Sequence, residues 1–77
     1  MPKALVLLNV ESGSEDEVLK ELKKLEGVEE AYTSYGVYDL IAKIKADTME
    51  QLKEAVTRKI RALNKVRSTL TLIIIDE

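Results

Sequence analysis

Four apolar runs and two amphipathic stretches alternate along the 77-residue chain, each with its own period. Lys3 to Val10 is a near-continuous apolar run closed by the polar segment Glu11-Ser12-Gly13. Such a run predicts a strand buried on both faces. Ser14 and Glu17 then have the spacing of a capping box, with Ser14 at the N-cap and Glu17 at the third helical position. Val18, Leu22 and Leu25 follow at i, i+4 and i+7, with Leu19 beside them, which predicts one buried helical stripe. Glu17 with Lys20, and Glu21 with Lys24, are spaced for ion pairs on the wet side. Gly27 lies just past the last leucine, where a left-handed residue ends many helices.

Val28 to Tyr35 alternates and carries Val, Thr and two Tyr, which predicts a second strand. Gly36 interrupts it. Val37 to Ala46 resumes with Leu40, Ala42 and Ile44 on one face, so the two strands form a hairpin. Asp47 and Thr48 are both N-cap candidates for a second helix with the buried stripe Met49, Leu52, Val56, Ile60 and Leu63. Asn64, which tolerates a left-handed conformation, is the expected stop. Val66 to Ile75, rich in β-branched residues, is the last strand.

The order βαββαβ, with right-handed crossovers, predicts an α+β ferredoxin-like plait: an antiparallel four-stranded sheet with both helices on one face. That leaves the other face uncovered. Side chains alternate along a strand, so the first strand divides into Ala4, Val6, Leu8, Val10 and Leu5, Leu7, Asn9. The last divides into Leu70, Leu72, Ile74 and Thr69, Thr71, Ile73, Ile75. All four sets are largely apolar, and a large exposed apolar patch marks an interface. The expectation is a dimeric α+β barrel, two copies packed sheet to sheet. A chain this short, with no cysteine to staple it, often relies on such association.

Composition narrows the chemistry. Twelve basic and fourteen acidic side chains give a net charge of −2, which offers no general attraction to nucleic acid or anionic membranes. The basic cluster Lys53, Arg58, Lys59, Arg61, Lys65, Arg67 reads mainly as solvated charge near the end of the second helix. Neither His nor Cys is present, which removes Cys/His zinc sites, histidine-based triads and thiol nucleophiles. Glu29-Glu30 and Asp76-Glu77 read as solvated acids. No nucleotide-binding glycine motif occurs, and exposed Phe or Trp for stacking RNA bases is missing. Neither a signal-peptide pattern nor an apolar segment of membrane-spanning length appears, so the cytoplasm is the expected location. The bias towards Lys and Glu leans towards a thermophile.

Three segments remain: Val28-Glu29-Glu30-Ala31-Tyr32, Gly36-Val37-Tyr38-Asp39 and Val66-Arg67-Ser68-Thr69-Leu70-Thr71. In this order and spacing they resemble the RAM domain, the C-terminal regulatory domain of the Lrp/AsnC family of transcription regulators, across residues 1–77. The resemblance implies a single ligand-sensing domain without its own DNA-binding domain. It implies a homodimer that assembles into a higher even-numbered oligomer, and an amino-acid-like effector bound between dimers near the hairpin. A full-length Lrp/AsnC regulator is a further possible partner; direct DNA binding, a membrane and a cofactor are not expected. The implied effector-binding residues are Tyr35, Gly36, Tyr38, Asp39, Thr69 and Thr71. Tyr35 stands where the family usually has Thr, and Leu70 where a polar residue is common.

Each of these residues also has an architectural reading. Gly36 allows positive φ or close backbone approach, but equally makes a turn. Asp39 can accept from an ammonium group or cap the hairpin backbone. Thr69 and Thr71 can supply hydroxyls or serve as ordinary strand residues. The leading expectation is an oligomeric, non-enzymatic effector sensor. The alternatives are a small enzyme on a dimeric α+β barrel and a purely structural assembly domain.

Overall fold

The computed structural model describes residues 2–74. Its elements are β1 (Lys3–Val10), α1 (Glu15–Lys24), β2 (Val28–Thr33), β3 (Leu40–Lys45), α2 (Met49–Glu54) and β4 (Val66–Ile74). α2 runs directly into a π-helical stretch, Ala55–Ile60, in which the Arg61 N–H donates to the Val56 carbonyl at 3.3 Å. The four strands form one antiparallel sheet in the order β2-β3-β1-β4. This is the ferredoxin-like plait that the βαββαβ order predicts.

The period-two pattern of β1 fixes the core. Ala4, Val6 and Leu8 are fully buried, and they lie opposite Ile44, Ala42 and Leu40 of β3, which are also fully buried. Val18 and Leu22 of α1 join them, as do Leu52, Val56 and Ile60, spaced four apart along the second helix. Met49, placed in the same stripe by sequence, is instead 41% exposed. It occupies the first helical position, directly after the Thr48 cap.

The helix ends differ from their sequence reading. Thr48 caps α2, its hydroxyl accepting the Gln51 N–H at 3.1 Å. Ser14 sits at the N-cap of α1 but makes no side-chain capping bond. Its residue is buried, and Glu17 turns away to meet the Lys65 ammonium at 3.2 Å. The capping box therefore does not form, and Glu17 pairs with Lys65 rather than Lys20. The Glu21–Lys24 pair is present at 3.9 Å. Asn64 is not left-handed, because every described residue with positive φ is a glycine.

Gly27 has φ +96°, and a Cβ there would meet the Lys45 carbonyl oxygen at 3.2 Å. The Gly27 carbonyl accepts the Lys45 N–H at 2.8 Å, so the α1–β2 turn is clamped onto the end of β3. The hairpin strands are shorter than their apolar pattern suggests. β2 stops at Thr33 and β3 starts at Leu40, leaving a loop over 34–39. Ile75, expected in the last strand, lies outside the described residues.

The uncovered face is ordered in rows. Leu70, Leu7, Ile41 and Tyr32 lie side by side across the four strands, and Leu72, Leu5, Lys43 and Glu30 form the next row. Leu70 and Leu72 are 43% and 47% exposed. The Tyr32 hydroxyl donates to Glu30 Oε1 at 2.8 Å, and that bond raises the phenol pKa above its ordinary value.

Candidate functional site

The hairpin loop is stitched to the end of β1 through Asp39. The Asp39 N–H donates to the Leu8 carbonyl at 2.9 Å, and the Asp39 carbonyl accepts the Ser34 N–H at 2.8 Å. The side chain adds a third bond, with the Val10 N–H donating to Oδ2 at 3.0 Å. Asp39 thus extends the β1–β3 ladder by one residue and caps a donor of β1. Only one carboxylate oxygen is used in this way, and the side chain remains partly exposed.

Across β1, the register with β4 carries a β-bulge. Asn9 lies opposite Ser68 and Val10 opposite Val66, so Arg67 has no partner. A bulge re-aims the side chain of its extra residue. Here Arg67 lines two adjoining clefts. One, of about 380 Å³, is lined by Asn9, Val10, Asp39, Arg67 and Ser68. The other, of about 320 Å³, is lined by Arg61, Val66, Arg67, Ser68 and Thr69. The two clefts share Arg67 and Ser68 and so adjoin at the start of β4. The Asn9 amide donates to the Ser68 hydroxyl at 3.4 Å.

This geometry gathers some of the sequence-predicted residues and separates others. Asp39 lines one cleft and Thr69 the other, and Arg67 and Ser68 line both. Thr71 lies opposite Val6, so both threonines are on the helix-covered side of the edge strand rather than the open face. The Thr71 hydroxyl oxygen is buried without a hydrogen-bond partner. Tyr35 is fully exposed at the loop tip, Gly36 has φ +130° with no atom within 4 Å of an added Cβ, and Tyr38 is half-buried at the loop's inner end.

Arg61, Arg67, Ser68 and Asn9 were not singled out as site residues from sequence. The lead-in Val66-Arg67-Ser68-Thr69 supplies four of the residues lining these clefts, but the bulge at Arg67 depends on a long-range register. A larger cleft of about 470 Å³ lies at the opposite ends of β1 and β3, among Glu26, Lys45, Asp47, Gln51, Glu54 and Lys59. It contacts neither the hairpin loop nor β4, and two of its charges are already paired, Lys45 with Glu29 and Glu54 with Arg58. Among the described residues no cluster of acidic side chains has the arrangement of a metal site, and no helix is long and apolar enough to cross a membrane.

The chain is thus a two-layer plait with one open sheet face and a cleft at the hairpin base. The Lrp/AsnC ligand binding domain model matches residues 3–77, and the chain belongs to that family. It is 33% identical over 58 residues to the regulatory protein AsnC of Haemophilus influenzae, covering 75% of this chain and 39% of that protein. The chain therefore spans well under half the length of this relative. Among solved structures, FFRP-DM1 is 40% identical with a TM-score of 0.93, covering 97% of this chain and all of that one. The hypothetical protein PHS023 from Pyrococcus horikoshii is also 40% identical, with a TM-score of 0.93 over 100% of this chain and 93% of that one.

Proposed function

We propose that this chain is an oligomeric sensing module that binds an amino-acid-type effector in the groove at the hairpin base and changes its assembly in response. The observation that carries this reading is the groove itself. Asp39, with one carboxylate oxygen not engaged by Val10, shares a cleft with Arg67, the unpaired residue of the bulge, which offers an acceptor for an ammonium group and a donor for a carboxylate. Membership of a ligand-binding family supports the reading. So does a transcriptional regulator of Neisseria meningitidis with the same fold, 13% identical, whose structure is a complex with L-Met.

Self-association rests on the open apolar rows of the sheet. Two copies packed face to face would bury Leu5, Leu7, Ile41, Leu70 and Leu72 on each side, with the polar groove left at the rim. Loops 34–39 and the start of β4 are then free to meet another dimer, which completes the site from a second side. Among the described residues both helices pack their apolar sides on the sheet, and in this reading regulation passes through assembly with itself or with a full-length regulator of the family. The experiment is sedimentation velocity with and without each of the twenty amino acids at millimolar concentration. An even-numbered oligomer whose size distribution changes with one or a few amino acids is the expected result; a monomer indifferent to all twenty overturns the proposal.

A further inference from the structure

Resting on that reading, we infer that the effector is an acidic amino acid, with Arg61 and Arg67 as the residues that select it. Charge decides this. The two adjoining clefts are lined by two arginines, Arg61 and Arg67, and one carboxylate, Asp39, so this chain contributes a net single positive charge there. Among the described residues neither arginine lies within ion-pair distance of a carboxylate, whereas Arg58, Lys24, Lys45 and Lys65 each have one. Two unpaired guanidiniums sharing one cleft repel each other, and an anion between them relieves that repulsion. A neutral amino acid would satisfy Asp39 and one arginine and leave the other unmatched. A ligand with one ammonium and two carboxylates matches all three charges.

The bulge supplies the second observation. It costs β1 and β4 a residue of regular pairing at the point where Arg67 lines both clefts, and such bulges are found beside sites where they re-aim a side chain. The ammonium then lies at the free oxygen of Asp39 and one carboxylate at Arg67. The second carboxylate reaches Arg61, with the Ser68 and Thr69 hydroxyls as neutral donors along the way. Arg61 is the specificity residue, because only the side-chain carboxylate reaches it.

The test is calorimetric titration of the full chain with L-glutamate, L-aspartate and their amides L-glutamine and L-asparagine. At least one acid should bind about tenfold or more tightly than its amide, the scale of one charge-assisted hydrogen bond. Arg61→Ala should bring that ratio close to one, weakening the acid far more than the amide, whose carbonyl loses only a neutral acceptor contact. Arg67→Ala should weaken acid and amide alike, and Arg58→Ala, already paired outside the groove, should change neither. Amides binding as tightly as the acids, or an acid preference that survives Arg61→Ala, overturns the assignment. If only neutral or basic amino acids bind the parent chain, the acidic effector is wrong and the sensing function stands. If none of the twenty binds, both are wrong.

Discussion

Leu70→Lys tests the sheet-to-sheet association at the β4 end of its apolar row. Leu70 is 43% exposed in the isolated chain and lies in line with Leu7, Ile41 and Tyr32. Complete burial of a leucine stabilises by about 2 kcal/mol, so covering the exposed part contributes about 1 kcal/mol per copy. A lysine forfeits that and places an unpaired ammonium in the interface, at about 3–5 kcal/mol. The two-fold relation of a homodimer doubles every term. Even if the lysine stem bends its charge towards the rim and halves the penalty, the dimer loses about 5 kcal/mol, more than a thousandfold in dissociation constant. In the separated monomer the same side chain points into water and costs little. Sedimentation velocity at micromolar concentration should therefore show an even multiple of 8.7 kDa for the parent and a single 8.7 kDa species for the variant, with unchanged far-ultraviolet circular dichroism. A Leu70→Lys protein that sediments like the parent would place the interface elsewhere.

Asp39→Ala should cost about 1 kcal/mol of stability through the orphaned Val10 N–H and also abolish effector binding, whereas Asp39→Asn keeps the backbone bond and loses mainly the ligand; paired melting and titration of the two variants separates the roles. Gly27→Ala should destabilise by more than the roughly 1 kcal/mol that positive φ alone costs, because its Cβ presses on the Lys45 carbonyl, while Gly36→Ala meets no atom and should cost only the strain; urea unfolding of both ranks them. Thr71→Val should be neutral or stabilising by about 1 kcal/mol, since it removes a buried hydroxyl that has no partner; a loss of stability would mean that the hydroxyl is bonded in solution.

The fold was legible because its determinants are local and periodic. The alternation of β1 divided it into two faces, Ala4, Val6, Leu8 and Leu5, Leu7, of which the structure buries the first, and the fourfold spacing of Leu52, Val56 and Ile60 named the core side of the second helix. What sequence missed depends on tertiary geometry. Ser14 and Glu17 have the spacing of a capping box, but Lys65 draws Glu17 away from 48 residues further on. Val37 and Tyr38 read as strand, yet the ladder ends where Asp39 bonds to Leu8 and Val10. The groove was legible in part. Asp39 and Thr69 stood in family-like motifs, but their link through Arg67 comes from a one-residue slip in strand pairing, and no local pattern encodes it. For the same reason Gly36, the more obvious turn glycine, has free space around it, while Gly27 is the tightly held one.

The most direct test of effector sensing is the melting temperature of the full chain against each of the twenty amino acids. A ligand at a hundred times its dissociation constant stabilises the folded state by about 2.7 kcal/mol. In a domain of this size that corresponds to a rise of roughly 10 °C or more. The account predicts such a rise for one or a few amino acids, abolished in Asp39→Asn. Twenty unchanged melting curves, or a rise that persists in Asp39→Asn, would contradict it.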